Sequence, residues 1–208
     1  MRTAIRTRLR QMVEADIPQV LDIERESFPS SWPQTAYKRE LTNKIARYLV
    51  LTEVREDAET LRAAGAPGIW ASVRRALGGV EPALTSEYLL GFVGVWLMVN
   101  EAHIVTIAVR EEHRRTGVGE RLLLAAIDLA TDMDQEVVTL EVRASNEGAQ
   151  RMYEKYAFNR MGLRKRYYTD NNEDAVIMTT PDLFTPGYKK LVAELGARHR
   201  QRSPDLWS

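Results

Sequence analysis

The chain reads as an α/β sandwich with a mixed sheet. Three observations point there. Tyr88–Val99 and His103–Val109 are nearly continuous apolar runs, as expected of strands covered on both faces. The elements run helix, helix, three strands, helix, strand, helix and two strands, with a further strand expected near Thr3 to Arg8. Between a strand and an apolar-faced helix lies HRRTGVGERLLLAAIDLA, His113–Ala130, which carries two closely spaced glycines.

Asp16–Phe28 forms the first helix, with Asp16 as its cap, Pro18 in its early turn, and Ile17, Val20 and Leu21 on its apolar side. Pro29 and Pro33 end it and shape the loop FPSSWP. A second helix covers Gln34–Thr42, and Ala46–Val54 is rich in strand formers. Arg55–Glu87 then breaks the rhythm. Two short helices are expected in it, Glu56–Ala64 and Ile69–Leu77, punctuated by Gly65, Pro67, Gly78 and Gly79. It is too long for a structureless hairpin connection, and it reads either as a surface insertion or as a partner-binding device.

After the strands at 88–99 and 103–109 comes the glycine loop. Its helix turns Val118, Leu122, Ala125, Ala126, Leu129, Ala130 and Met133 to one side. Glu136–Ala144 is a strand, Ser145–Phe158 a helix that opens with capping residues, and Asn159–Asp170 with Ala175–Thr180 a last strand pair joined by the turn NNED. Residues 1–180 make one domain, with the insertion at about 55–87. Residues 181–208 are an extension with a short amphipathic helix (Tyr188, Leu191, Val192, Leu195) and a basic end, GARHRQRSPDLWS, expected to be mobile.

The 208 residues are 44% hydrophobic, enough for one compact domain with embellishments. Twenty-nine basic and twenty-nine acidic residues cancel, so overall charge gives no argument for a nucleic-acid partner. Without cysteine, disulfides, thiolate metal sites and cysteine nucleophiles are excluded. MRTAIRTRLRQM lacks the apolar run of a signal peptide, and no apolar stretch approaches the roughly 20 residues of a membrane span. A cytoplasmic protein, monomeric or weakly dimeric, is the expectation.

Thr116-Gly117-Val118-Gly119-Glu120-Arg121 has no lysine followed by serine or threonine, so it is not a Walker loop. Leu122 stands where a dinucleotide fingerprint has its third glycine. What remains is a glycine-rich helix start, either a structural turn or an anion site that Arg114 and Arg115 could reinforce. In the strand LEVRASN, Glu141 points away from the face shared by Leu140 and Val142. It is a salt-bridged strand carboxylate or a general base whose pKa partial burial would raise. Tyr153, two turns into the next helix, is core packing or a general acid. Asn146 caps that helix or binds an amide-rich ligand, and His103 and, less so, Glu101 are rival bases.

Arg114-Arg115-Thr116-Gly117-Val118-Gly119 resembles the acyl-CoA diphosphate loop of the GCN5-related N-acetyltransferases, Gln/Arg-x-x-Gly-x-Gly/Ala. IERESFPSSW, HIVTIAV, LEVRASN, AQRMYEKYAF and RKRYYTDNNEDAVIM occur in the order found in the ribosomal-protein-alanine N-acetyltransferase (RimI) family, over roughly residues 12 to 180. The resemblance implies a GNAT-type three-layer sandwich whose mixed sheet is mostly antiparallel. It implies acetyl-CoA as donor, no metal, and the α-amine of a protein N-terminus as acceptor, best known as the N-terminal alanine of a small-subunit ribosomal protein.

By the same resemblance, Ile107, Ala108 and Val109 lie along the acetyl and pantetheine groups, and Arg114, Arg115, Thr116, Gly117, Val118 and Gly119 cradle the diphosphate. Asn146 lies near the pantetheine. Glu141 is the base acting through water, and Tyr153 the acid beside the sulfur. Glu173 and Asp174, with Tyr167 and Tyr168, are expected to border the acceptor mouth. Ala157 departs from the family, which has glycine there; a left-handed backbone at that site would cost alanine about 1 kcal/mol. Two other readings stay open at this point: transfer to lysine or to a small amine, and a non-catalytic acyl-CoA-binding module.

Overall fold

The computed structural model describes residues 6–29, 32–54 and 87–207. The expected insertion, with its two short helices, lies outside the described residues except for Glu87. In chain order the elements are β1 (Arg6–Gln11), α1 (Ile17–Ser27), α2 (Gln34–Thr42), β2 (Ala46–Val54), β3 (Glu87–Leu97), β4 (Glu101–Val109), α3 (Val118–Asp132), β5 (Val137–Arg143), α4 (Glu147–Lys155), β6 (Asn159–Tyr168), β7 (Glu173–Thr179) and α5 (Pro186–Arg202). The strands form one sheet in the order β1-β2-β3-β4-β5-β7-β6. Only β4 and β5 pair in parallel, and every other neighbour is antiparallel. This is the mixed, mostly antiparallel sheet that the sequence predicts.

The centre of the sheet is buried on both faces. On one, Ile17, Val20 and Ile23 of α1 and Tyr37 of α2 pack on Tyr48, Val50, Leu89 and Phe92. On the other, Leu122, Leu123, Ala126 and Ile127 of α3 pack on Val93, Val95, Ile104, Val138 and Leu140, and Tyr153, Tyr156 and Phe158 extend that cluster. The near-continuous apolar character of β3 follows, since its residues feed both layers in turn.

Three local readings need correction. The first strand reaches Gln11, because all six of its residues pair with β2. Asp16 does not cap α1 through its side chain. Fully buried, it takes both Arg10 guanidinium nitrogens at 2.7 and 2.8 Å and the Val13 amide at 2.8 Å, which ties β1 to the turn before the helix. The end of the chain is folded rather than loose. α5 runs for 17 residues, and a 3-10 turn, Pro204–Trp207, follows it. Thr7 Oγ1 donates to the Asp205 carbonyl at 2.7 Å, and the guanidiniums of Arg121 and Arg200 lie over the Trp207 ring, 3.9 and 4.4 Å from its centre. The basic residues of the tail thus find an aromatic partner, which composition alone does not show.

Ala157 does take a left-handed backbone, φ 58°. Two bonds hold it there, Ala157 N to the Glu154 carbonyl at 2.9 Å and Phe158 N to the Tyr153 carbonyl at 3.1 Å, and Phe158 is thereby turned into the core.

Candidate active site

β4 and β5 pair from Glu101↔Val137 to Ile104↔Leu140 and then part. Beyond Ile104, β4 keeps only β3 as a paired neighbour, so backbone groups on its other edge are left to meet a ligand. The parting opens a cavity of about 450 Å³. His103 to Ile107 line one wall and Leu140 to Arg143 the other, with Asn146 and Tyr153 from α4. Phe28, Pro29 and Trp32 from the α1–α2 loop, and Tyr167 and Tyr168 from the end of β6, complete it.

The faces of the sheet explain who meets whom. Leu140 and Val142 belong to the layer of α3, so Glu141 projects to the layer of α1 and α2. Tyr153 is packed in the layer of α3, yet it lines the same cavity, because no strand closes the gap between β4 and β5. Its ring rests against Phe158 at 5.7 Å, and burial holds its phenol pKa well above the ordinary 10.

Of the two readings of Glu141, the structure bears out the salt-bridged carboxylate and not the raised pKa. His103 Nε2 stands 2.9 Å from its Oε2 and Arg164 Nη2 3.1 Å from its Oε1. The hydrogen bond from His103 outweighs desolvation, so the Glu141 pKa is lowered, not raised. The same bond raises the pKa of His103 above the ordinary 6.5, with Glu101 adding to it from 3.6 Å on the Nδ1 side. His103 and Arg164 are therefore part of the site. His103 was legible as a rival base, whereas Arg164 carried no signal, because β6 reaches Glu141 only by way of β7.

Other buried polar groups shape the mouth. Glu24 of α1 accepts from the Tyr37 hydroxyl at 2.7 Å and the Trp32 amide at 2.8 Å, which folds the loop after α1 over the cavity. Burial raises the pKa of Glu24. Sequence reading missed this set; its one signal was an acidic residue beside the apolar side of the first helix.

Asn146 bears out its reading as a helix cap. Its side chain accepts from the Ala149 amide at 3.1 Å as the cap of α4, and it lines the cavity. Of the β4 trio, Ile107 lines the cavity, while Ala108 is buried against α1 and α2 and Val109 packs toward α3. Glu173 and Asp174 do not line it. Glu173 accepts from the Ser145 amide at 2.7 Å and from Arg143 at 3.1 Å, and Asp174 from the Arg166 amide at 2.8 Å, so both serve the β6–β7 hairpin.

The glycine loop lies past the end of β4. Arg115 and Gly117 have left-handed backbones, φ 66° and 101°, and Gly117 is the N-cap of α3. Such alternation turns successive amides to one side, and the first amides of α3 have no partner in their own helix. Thr116 Oγ1 donates to the His113 carbonyl at 2.6 Å and tightens the turn. Arg114 does not point its charge into the loop. Its Nη2 donates to the Glu26 carbonyl at 2.6 Å and the Ser27 hydroxyl at 3.1 Å, at the end of α1 where a cation is favoured. Among the described residues no group of three or more histidines, aspartates and glutamates is placed to hold a metal ion.

The Acetyltransferase (GNAT) family profile matches residues 17–158. The chain is 33% identical, over 82% of its length and 92% of the relative's, to a candidate ribosomal protein bS18-alanine N-acetyltransferase of Bacillus subtilis. It is 29% identical to an N-alpha-acetyltransferase of Sulfurisphaera tokodaii over 84% of this chain and 92% of that one. Among solved structures, the ribosomal-protein-S18-alanine N-acetyltransferase from Escherichia coli superposes with TM-score 0.63 at 25% identity, covering 85% of this chain and 94% of that one.

Proposed function

The chain belongs to the acetyltransferase (GNAT) family and uses acetyl-CoA, and we propose that its acceptor is the α-amine of a protein N-terminus, first of all the N-terminal alanine of a small-subunit ribosomal protein. The names of the relatives support that acceptor. The observation that carries the chemistry is the cavity at the parting of β4 and β5, where Glu141 with His103 and Tyr153 line one space.

The residues present fit the donor. The unpaired edge of β4 around Ile107–Val109 suits amides such as those of pantetheine, and the loop Arg114–Gly119 offers helix-start amides to a diphosphate. Acetyl-CoA supplies the acetyl group as a thioester. Backbone N–H groups of β4 beyond Ile104 hold the thioester carbonyl as its oxygen gains charge.

An N-terminal ammonium, with a pKa of about 8, must lose a proton before its nitrogen can attack. Glu141, whose pKa is lowered by the hydrogen bond from His103, is a poor acceptor for that proton. His103, whose pKa is raised by the same bond, is the better acceptor. Glu141 and His103 therefore work as a pair. Glu141 stays ionised and steadies the charge, directly or through water, while His103 carries the proton.

As the nitrogen–carbonyl bond forms and the carbon–sulfur bond breaks, Tyr153 donates a hydrogen bond to the departing sulfur. The burial that keeps the proton on the phenol also makes a bare thiolate more basic, so the phenol yields its proton only as sulfur becomes charged. No covalent enzyme intermediate is required.

Acetyl transfer measured on peptides with free N-termini, including one that begins with alanine, tests the acceptor. Transfer to the α-amine, absent from the same peptides with blocked N-termini, is expected. Transfer only to lysine side chains or to polyamines would overturn the acceptor assignment and leave the donor chemistry in place.

A further inference from the structure

We infer that the C-terminal extension, residues 181–207, is a brace for the donor loop and that His199 is a positioning residue for acetyl-CoA. This rests on the reading that Arg114–Gly119 takes the diphosphate of the donor.

The first observation is steric. A Cβ on Gly117 would lie 3.0 Å from His199 Nε2, 3.1 Å from Ser203 Oγ and 3.4 Å from Leu206 Cδ1. All three atoms belong to the extension, which walls the outer side of the loop at its left-handed glycine.

The second observation is a directed hydrogen-bond chain. His199 is fully buried. Trp207 Nε1, a donor only, lies 2.9 Å from His199 Nδ1, so Nδ1 must accept and the ring proton sits on Nε2. From there it is donated to the Gly117 carbonyl at 3.0 Å. That carbonyl also accepts from the Arg121 amide at 2.9 Å, which starts the α3 ladder. In a planar trans peptide the carbonyl and the following N–H point in opposite directions. Holding the Gly117 carbonyl toward His199 aims the Val118 N–H away from the extension, to the side on which an anion would be met.

The third observation is electrostatic. Glu120 lies in the first turn of α3, where its charge would oppose a bound diphosphate. It is covered by Lys155, by the Tyr156 hydroxyl at 2.7 Å, and by Arg202 of the extension. Burial alone would raise the Glu120 pKa, but these partners lower it, so the carboxylate is held ionised and neutralised in place. The brace is itself anchored, to β1 through Thr7 and to α3 by Arg121 Nε on the Leu206 carbonyl at 3.3 Å.

The test uses the full chain and two ligands, CoA and S-acetylpantetheine, which lacks the diphosphate. His199→Ala is expected to weaken CoA binding about 5- to 10-fold by calorimetry, the worth of one buried hydrogen bond. The affinity for S-acetylpantetheine, measured as competition against acetyl-CoA turnover, stays unchanged. His199→Gln, whose amide can still donate to Gly117, restores CoA affinity to within about 2-fold. If His199→Ala does not fold, Trp207→Phe serves, since it keeps an aromatic ring for Arg121 and Arg200 and removes the N–H donor to His199; about 3-fold weaker CoA binding is expected. Parallel loss for both ligands, or CoA affinity unchanged in either variant, would overturn the brace. Failure of the wild-type chain to bind CoA would overturn the loop reading instead.

Discussion

The two halves of the site are built on different principles. The proposed donor half is main chain: a parted strand edge, two left-handed residues and the start of α3. The acceptor half is side chain: Glu141, His103 and Arg164 brought together from β5, β4 and β6, with Glu24 and Trp32 above them. A main-chain site tolerates changes of residue but not of backbone angle. A side-chain site tolerates small shifts of the strands but not loss of a functional group. Substitutions should separate the two, and the largest effects fall on the side chains proposed to move protons, Glu141 in the acceptor half and Tyr153 at the sulfur.

Glu141→Gln and Tyr153→Phe are each expected to lower kcat by about 10²- to 10³-fold, with CoA affinity by calorimetry unchanged. Turnover at the wild-type rate in folded protein would remove both from the chemistry. Gly117→Ala is expected to do the reverse. Alanine at φ 101° is strained and meets His199, so CoA binding weakens by about 10-fold or more, while kcat at saturating donor is largely kept. If it changed kcat alone, the division into halves would fail.

The next effect is a shift in pH dependence. His103 has a raised pKa, so its contribution to stability is complete below the ordinary 6.5 and is lost as pH rises through the raised value. Glu141 has a lowered pKa, so its contribution is complete above 4.5 and is lost as pH falls through the lowered value. The ion pair is whole between those limits. With His103 as the proposed proton acceptor, activity is expected to climb on the alkaline side, where the pair loosens. In His103→Gln the carboxylate loses its nearest cation, and the acidic limb of kcat/KM is expected to move to lower pH as turnover falls by about 10-fold. An acidic limb at the wild-type position would exclude His103 from proton transfer. The smallest effect belongs to neither half: Ala157→Gly, relieving the left-handed residue after α4, is expected to raise stability by about 0.5–1 kcal/mol in denaturant unfolding, with kcat and CoA affinity unchanged.

The same division decides what can be read from sequence. Strand runs and helix caps are local, so the order of elements, the mixed sheet and the Asn146 cap were legible, and so was the loop, because two glycines beside a helix start report a backbone shape. Glu141 was legible as a residue, but its protonation was not. Burial argued for a raised pKa, and two cations from non-adjacent stretches reverse it. Asp16 was misjudged in the same way, since Arg10 claims it from the strand before. The tail looked mobile because its partners, Thr7, Gly117 and Arg121, lie far away in sequence. No helix among the described residues is long and apolar enough to cross a membrane.

The brace also sets an order of events. His199 follows Gly117 by 82 residues, and the carbonyl of Asp205 meets a side chain 198 positions before it. A ribosome delivers the loop first and its support long afterwards, and contacts so distant in sequence close late in folding. A chain cut short before residue 199 would carry every catalytic group proposed above with its donor loop unsupported. With the proposed brace, competence to bind the acetyl donor is expected to come late in the growing polypeptide, once both ends of the fold have met.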